Sequence, residues 1–506
     1  MVIVLQGTLR GLVEQPWLGV EVCGRNDFNQ YANSGEFFQG RFLGKTGGVI
    51  ENAVTRLKMF GPDSETSSGG IVSCGGVTFR NNITGGDIQN CQNFYPPGSP
   101  LAGNPNYSAR FTDCSFVNNQ QYPHTDNFQS FVNLVEVNGP LFRGCAFTNS
   151  TTYEPPHVIN AGSYGRGIFT SDASVRVLPK CLSTAPCSSY QHSTFSNLSY
   201  GILSSSIISA DAPLVVSCAD FDKCFVGIWN SGNNAPSITD CLFELGEVPD
   251  LAVMSDQMGI HLSSSITGFT VVDNRFVQDH TPEGLLTTGI SCFNVGTSNK
   301  SINLNEFYGV DIANRAAGIC GNEEQGLLYE CNQNETNTLY DFLVCDHERT
   351  SADRIRPVQI SAVNQSVSDI FSNTGTPNDR DFANQGGFQT DYFYPLNGST
   401  NVVPDEYSGL LIDDADPNEC STENCPPPCF EEGLVQQMRD EFYQNREDYY
   451  IAAALEPNGN TPVGPVGETA VGLRQEMESQ SGDKFAHHFF RGAAQKRTTG
   501  HLRRHR

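Results

Sequence analysis

Three residues on successive repeats carry side chains that suit a sugar-binding site. Trp229, His261 and Asp311 each follow a Gly-Ile or Gly-Val pair in a segment that recurs along the chain. An exposed indole gives a sugar ring a flat apolar platform, and a nearby carboxylate accepts hydrogen bonds from its hydroxyls. We therefore expect these residues to form a candidate ligand-binding site if the repeats stack in register. The alternative is that insertions cover this face and Trp229 packs in a satellite core.

Carboxylates and arginines also cluster towards the end of the repeats. Glycoside hydrolysis needs paired carboxylates, and a lyase needs a base beside positive charge. The residues of these types are Asp353, Arg354 and Arg356, then Asp379, Arg380 and Asp381, then Asp413, Asp414 and Asp416. Exposed ion pairs have the same composition, so the catalytic residues stay unknown. The chain contains no P-loop, dinucleotide fingerprint, Gly-x-Ser-x-Gly or His-Glu-x-x-His motif.

Aspartates recur before the Cys or Asn of another repeated segment, at Asp113, Asp240 and Asp273. A column of carboxylates is one arrangement that binds Ca²⁺. Short polar residues also form tight corners, and we favour this corner role over a calcium site. The sequence therefore predicts no metal and no other cofactor. In the Pro-rich segment "CSTENCPPPC" (420–429), a disulfide is favoured over zinc, which would need a fourth ligand.

An internal repeat positions all of these residues. One segment reads apolar-x-x-Cys/Asn-x-Phe, as in "FTDCSFVNN", and the other starts with Gly and Ile or Val, six residues after Phe195 and Phe221. Both alternate with period two and are too short for helices, which indicates β-strands. Strands and polar corners in units of ~22–33 residues predict a parallel β-helix of about a dozen coils. The predicted inward stack is Cys114, Phe116, Cys145, Phe147, Cys218, Phe221, Cys241, Phe243, Asn274, Phe276, Asn305 and Phe307.

Composition and charge exclude several classes of function. The formal net charge of −26 disfavours nucleic acid or an anionic membrane as a partner. No apolar run approaches the roughly 18 residues of a transmembrane helix. The 17 cysteines are mostly scattered singly, so we expect small buried hydrophobes rather than metal ligands. The start lacks the features of a signal peptide, and we expect a truncated start.

Two segments carry a resemblance to a known family. "GGVIENAVTRLKMFGPDSETSSGGIVSCGGVTFRNN" (Gly47 to Asn82) resembles the opening coils of secreted bacterial proteins with right-handed parallel β-helix repeats, many of them cargo of the type IX secretion system. "QPWLGVEVCG" (Gln15 to Gly24) is similar to the Trp-x-Gly-Ile-x-Val coil that precedes those coils in the family. The resemblance covers roughly residues 1–345 and implies a right-handed coil and export. It includes no match to the family's immunoglobulin-like sorting domain, so we expect a fragment.

The expected organisation is all-β with a short C-terminal helical segment. We predict a β-helix with loop insertions over 1–400, an acidic Pro/Cys-rich linker or cap over 401–429, a helical segment over 430–480 and a basic, disordered tail over 481–506. The expected function is a secreted or cell-surface scaffold, non-catalytic, for adhesion or for binding a polysaccharide or cell-surface glycan. The alternatives are a polysaccharide lyase or glycoside hydrolase, and a purely structural spacer. The oligomeric state is not predicted.

Overall fold

The computed structural model describes most of the chain up to residue 415. The described residues are 2–25, 39–61, 67–91, 109–120, 128–151, 164–183, 189–207, 213–232, 235–248, 256–264, 268–278, 285–345, 354–361, 365–372, 380–396 and 400–415. The predicted helical segment over 430–480, the tail over 481–506 and the Cys-rich segment at 420–429 lie outside them.

Three long parallel sheets contain almost all of the strands. Sheet I consists of β1 (Val2–Leu5), β4 (Arg41–Gly44), β7 (Ile71–Gly75), β10 (Ala109–Thr112), β13 (Leu141–Arg143), β16 (Val175–Leu178), β21 (Leu214–Ser217), β24 (Ser237–Thr239), β27 (Thr270–Val272), β30 (Lys300–Asn303) and β33 (Leu327–Glu330).

Sheet II follows sheet I in every coil. It consists of β2 (Thr8–Arg10), β5 (Val49–Glu51), β8 (Thr78–Arg80), β11 (Ser115–Asn118), β14 (Ala146–Asn149), β19 (Ser193–Ser196), β22 (Ala219–Asp222), β25 (Leu242–Leu245), β28 (Arg275–Gln278), β31 (Glu306–Tyr308) and β34 (Gln333–Glu335).

Sheet III completes each coil. It consists of β3 (Val20–Glu21), β6 (Leu57–Lys58), β9 (Gly86–Cys91), β12 (Ser130–Val137), β15 (Arg166–Ser171), β20 (Tyr200–Ser206), β23 (Val226–Gly232), β26 (Asp256–Ser263), β29 (Leu286–Phe293), β32 (Ile312–Ala317), β35 (Tyr340–Val344), β37 (Arg380–Asn384) and β39 (Tyr407–Ser408).

The remaining elements are short. A three-stranded parallel sheet contains β36 (Val358–Gln359), β38 (Thr390–Pro395) and β40 (Leu410–Ala415), and a separate two-stranded sheet contains β17 (Lys180–Cys181) and β18 (Tyr190–Gln191). A 3-10 turn spans Thr400–Val402. Strands β39 and β40 lie within 401–415, at the start of the region that we predicted as linker or cap.

The sheets have 11, 11 and 13 strands, each strand paired with the equivalent strand of the next coil. This confirms the prediction of an all-β parallel β-helix of about a dozen coils. The right-handed sense of the coil stays a prediction from the resemblance.

A column of stacked phenylalanines fills the interior beside sheet II. Neighbouring rings are 4.6–4.9 Å apart between centroids and tilted by 1–11°. The column consists of Phe79, Phe116, Phe147, Phe195, Phe221, Phe243, Phe276 and Phe307, each at most 2% exposed. Each ring therefore packs against the ring above and the ring below, as a coil spacing of ~4.8 Å requires.

Glycines in sheet III make room for this column. A Cβ at Gly201 would lie 2.6 Å from the Phe221 ring and 2.6 Å from the carbonyl oxygen of Gly227. A Cβ at Gly227 would meet the Phe243 ring at 2.7 Å. The glycine at the start of the Gly-Ile segment is therefore required by packing. Any side chain there would collide with both the backbone of the next coil and a phenylalanine ring of the column.

A second interior column carries the Cys and Asn of the first segment. In register, its members are Cys114, Cys145, Ser193, Ala219, Cys241, Asn274, Asn305 and Asn332. The Asn274 backbone N–H donates to Asn305 Oδ1 at 3.0 Å, and the Asn305 N–H donates to Asn332 Oδ1 at 3.2 Å. Inward asparagines therefore link successive coils, as predicted. We call a column of side chains at equivalent positions of successive coils, such as this one, a file.

The assignment of Cys218 to this stack is wrong. Ala219 holds the stack position, because its neighbour Asp220 pairs with Leu242 and so aligns Ala219 with Cys241. Cys218 lies at the corner before the strand, with a φ of 50°. Two residues lie between Cys218 and Phe221, whereas one lies between Cys114 and Phe116, and the extra residue moves the cysteine out of the file.

The aspartates before the strands form corners. The φ angles of Asp113, Asp240 and Asp273 are 56°, 53° and 59°, in the left-handed region that Asp tolerates better than most residues. The backbone N–H of each donates to the next coil, for example from Asp113 to the carbonyl of Arg143 at 2.8 Å. These positions are turns, which agrees with the favoured interpretation.

Candidate functional site

One vertical file on the outer surface of sheet III contains the candidate binding residues. We call it the outer file, and it consists of Asp87, Asn133, Phe169, Leu203, Trp229, His261, Ser291 and Arg315. Along each strand, a residue of the outer file follows a buried residue such as Ile228, Ile260 or Ile290. Because side chains alternate between the two faces of a strand, the residues of the outer file point away from the core. Trp229 and His261 are therefore direct neighbours on successive strands, as the stacking prediction requires.

Trp229 lies in an aromatic cluster at the centre of the outer file. Its ring centroid is 4.0 Å from that of His261 with a tilt of 36°, and 6.1 Å from Tyr200 in an edge-on arrangement. Trp229 is half-buried, whereas His261 is buried at 8% exposure. The cluster fixes the orientation of the indole while part of its surface stays open to solvent.

His261 is an uncharged member of this cluster. Its Nδ1 lies 3.2 Å from the hydroxyl oxygen of Ser291, so a hydrogen bond joins the two side chains. Burial, and then the positive charge of Arg315, lower the pKa of His261 to about 4. The imidazole is neutral at physiological pH, and the protein presents a neutral ring beside Trp229.

Asp311 is not part of the outer file, and its predicted position there is wrong. Arg315 pairs with Ser291 and takes that place. The Asp311 carboxylate instead accepts hydrogen bonds from the backbone N–H and the hydroxyl of Thr287, at 2.9 and 3.0 Å. Gly309 has a φ of 69° and belongs to the turn before the strand, so the Gly-Val pair does not open the repeat segment here.

A spacing already present in the sequence identifies the correct alignment. Gly201 and Gly227 each follow their column phenylalanine by six residues, and six residues after Phe307 comes Ala313. A Cβ at Gly289 would lie 2.7 Å from the Ala313 carbonyl oxygen, so Ala313 stacks at the glycine position. Counting from Phe307 would have placed Arg315 in the outer file.

Sequence reasoning also missed the polar part of the outer file. Asn133 Nδ2 donates a hydrogen bond to Asp87 Oδ1 at 2.7 Å. The Arg166 guanidinium lies 5.0 Å from the centre of the Phe169 ring, which is half-buried. The exposed face therefore changes from polar groups at Asp87 and Asn133 to rings at Phe169 and Trp229 along one line. Neither Asp87 nor Asn133 follows a Gly-Ile or Gly-Val pair, so the repeat motif did not identify them.

The described members of the acidic and basic clusters near residue 354 and beyond lie in different surroundings. The Arg354 guanidinium lies 4.8 Å from the centre of the Phe388 ring. Asp381 is fully buried while its neighbour Arg380 is exposed. Asp413 and Asp414 are exposed on β40. Asp353, Asp379 and Asp416 lie outside the described residues.

Two pairs of titratable residues lie close together at the strand ends and corners of the coils. His192 Nδ1 is 2.8 Å from Asp220 Oδ1, and this hydrogen bond raises the pKa of His192. Asp240 and Asp273 share a hydrogen bond on successive corners. Partial burial, and then the negative charge of Asp240, raise the pKa of Asp273 to about 6. The pair therefore holds one proton at mildly acidic pH.

The described part of the chain lacks a clustered metal site and a membrane-spanning helix. No group of three His, Cys, Asp or Glu side chains there is arranged to hold a metal ion. None of the helical segments described is long and apolar enough to cross a bilayer.

Comparisons of the whole chain with protein families, curated proteins and solved structures give no match.

Proposed function

We propose that this chain is a secreted, non-catalytic β-helix scaffold that binds a glycan on the outer surface of sheet III. The resemblance to type IX secretion cargo supports export, and the outer file supports glycan binding. The observation that carries the proposal is the half-buried Trp229, stacked on His261 and flanked by Tyr200. A fixed aromatic surface loses little conformational entropy when a sugar ring stacks on it.

Hydroxyl and amide groups next to these rings supply the hydrogen bonds that a sugar needs. Ser205, Ser231 and Ser263 form an adjacent outward file two residues further along each strand. Asn133 and Asp87 extend the polar surface along the outer file. Rings for the apolar face of a sugar and short polar groups for its hydroxyls thus occur on one surface.

Charge favours an uncharged glycan. The chain carries a net charge of −26, which repels sulfated or uronate polymers at long range. The central ring pair is also neutral, because His261 is not protonated at physiological pH. We therefore propose a neutral polysaccharide or cell-surface glycan as the ligand.

A glycan array followed by calorimetry on the best neutral oligosaccharide tests this function. Trp229→Ala should weaken binding about tenfold, which corresponds to about 1.4 kcal/mol. Tyr308→Ala is the matched control, because Tyr308 is also a half-buried outward aromatic but lies on sheet II. Absence of binding to every glycan, or equal effects of both variants, would contradict the proposal.

Polysaccharide cleavage is the second candidate, and the Asp240–Asp273 pair favours it. A carboxyl with a raised pKa is suited to act as the general acid, but two carboxyls joined by a hydrogen bond lie closer together than the roughly 5–9.5 Å that glycosidases use, so the pair would have to separate around a substrate. Incubation with pectin, alginate and neutral glucans, followed by assays for reducing ends and unsaturated products, tests this candidate. Activity that disappears in Asp240→Asn and Asp273→Asn would establish it, and the absence of products would exclude these substrates.

A further inference from the structure

The interior asparagine file ends in an aspartate. Asn332 occupies the position after Asn305, and its backbone N–H and Nδ2 donate to Asp369 Oδ1 at 2.8 and 3.0 Å. Ser368, just before Asp369, has a φ of 55° and repeats the left-handed corner that precedes most earlier members of the file. Asp369 is thus the next member of the file, with a carboxyl group where the preceding coils have an amide.

A second buried aspartate, Asp381, interacts with the same tyrosine, Tyr392, as Asp369 does. Asp381 is fully buried in β37, and its Oδ2 accepts a hydrogen bond from the Asp405 backbone N–H at 2.6 Å. Asp369 Oδ2 makes no hydrogen bond within the described residues, and the Asp381 carboxyl shares a hydrogen bond with the Asp405 carboxyl. The Tyr392 side chain, also fully buried, interacts electrostatically with both Asp369 and Asp381. Two buried carboxyls therefore lie inside the last coils without a cationic partner among the groups that act on them.

Among the described residues, no positive charge compensates for these carboxyls in their immediate surroundings. The titratable groups that act on Asp369 and Asp381 from the neighbouring strands are Glu330, Asp341, Tyr329, Tyr392 and Asp405. All of them are acids, so each adds repulsion when it ionises. Arg380 adjoins Asp381 in the chain, but it is exposed and its neighbour faces the interior. An ionised Asp369 or Asp381 would be a buried charge without a counterion, which is costly.

We propose that the last coils, from β35 to β40, form a proton-controlled latch that is closed while Asp369 and Asp381 are protonated and loosens when they ionise. A protonated carboxyl is uncharged, so its burial costs far less than burial of a carboxylate. Loss of the proton leaves two negative charges inside these coils. Each coil of a stack interacts mainly with its neighbours, so the loosening stays local to the coils that hold the charges.

The pH window follows from the direction in which the two pKa values move. Burial raises the pKa of both Asp369 and Asp381 to about 8, from an ordinary 3.8. The folded state therefore binds more protons than the unfolded state between about pH 4 and pH 8. The stability of the last coils is greatest below pH 4 and falls as the pH rises to about 8, opposite to the usual behaviour of carboxylates in ion pairs.

Hydrogen exchange by mass spectrometry on the full chain tests the latch. We expect peptides from β36 to β38 to lose protection by at least roughly tenfold between pH 5.5 and 8.5, after correction for intrinsic exchange. Peptides from β10 to β14 should change little and serve as the internal control. In the Asp369→Asn, Asp381→Asn variant the pH dependence of β36–β38 should vanish, because an amide at residue 369 keeps the acceptor for Asn332.

Two outcomes overturn the latch: equal pH dependence of the last coils and the control coils in the wild type, or unchanged dependence in a folded Asn variant. If the double variant does not fold, infrared spectroscopy of the wild type decides instead. Protonated buried carboxyls at pH 6.5 support the latch, and their absence refutes it. Glycan binding at Trp229 is tested separately and does not bear on this result.

Discussion

Asn305 connects three coils through one side chain. Its Oδ1 accepts from the backbone N–H and the Nδ2 of Asn274, both at 3.0 Å. Its own Nδ2 donates to the Val271 carbonyl of that same coil at 3.1 Å and to Asn332 Oδ1 of the next coil at 3.2 Å. Asn305→Ala removes these bonds and leaves buried partners unpaired, so we expect a loss of about 2–3 kcal/mol. Asn303→Ala, on the outside of sheet I, should cost no more than ~0.5 kcal/mol. Urea unfolding measures both, and equal losses would show that the file is not a stabilising network.

The lowered pKa of His261 predicts how glycan affinity depends on pH. Because its pKa is lowered to about 4, the ring beside Trp229 does not change charge between about pH 5 and pH 8. Glycan affinity should therefore be constant over that range and decline as the pH approaches 4, where the imidazolium forms beside Arg315. Since the folded pKa is depressed, the same protonation also reduces the stability of this region at low pH. Calorimetric titrations across the range check this, and a transition near pH 6.5 would mean that His261 is solvated.

Residue types predicted the repeated apolar and asparagine positions of the interior, but not its buried charged residues. Phe, Cys and Asn recur at one position of the repeat, so their inward direction follows from alternation. Arg56 also lies inside, at 1% exposure, with its guanidinium 5.2 Å from the centres of the Phe116 and Phe131 rings. A charged residue inside the first coils could not be predicted, because it depends on an aromatic environment formed by residues from other coils.

At the scale of the strand, the close contact of Gly227 with the coil above sets the spacing between sheets II and III. Gly227→Ala would place a methyl group 2.6 Å from the Gly259 carbonyl oxygen and 2.7 Å from the Phe243 ring. The backbone cannot move away without breaking the hydrogen bonds between the strands of sheet III. We therefore expect the free energy of unfolding to fall by about 2–3 kcal/mol. Gly75→Ala is the control, because no atom lies within 4 Å of its added Cβ. Thermal unfolding compares the two, and a neutral Gly227→Ala would mean that the coils are loosely packed.

The strands could be predicted from the sequence, but residues were misplaced wherever a turn beside a repeated segment changed length. Cys218 was aligned with the cysteines of the first segment, and Asp311 was placed by counting from Gly309 as the first glycine of the second segment. Both residues lie in turns. The column of phenylalanines sets the register, because large stacked rings cannot slip, whereas a Cys or a Gly fits a corner as well as a strand. The candidate site depends on that register, so Trp229 and His261 were found and Arg315 was not.

At the scale of the whole molecule, each coil interacts mainly with the coil before it and the coil after it. Stability is then a sum of intrinsic terms and interfaces between neighbours. Such a repeat is visible in a sequence, which is why the architecture could be predicted. The ligand could not, because the outward positions that would bind it are free of the packing that produces the repeat.

This nearest-neighbour arrangement predicts how the molecule divides when a central coil is weakened. Phe195 is fully buried and stacked between Phe147 and Phe221, at 4.7 and 4.9 Å. Phe195→Ala leaves a cavity and removes both ring contacts, at an expected cost of ~3–5 kcal/mol. Because the two halves of the stack meet at this coil, we expect calorimetry to resolve two transitions, one for the coils on each side. Phe293→Ala, at an exposed position, should leave the wild-type profile unchanged. A single sharp transition at lower temperature for Phe195→Ala would instead mean that the stack unfolds as one cooperative unit, with coupling that extends well beyond adjacent coils.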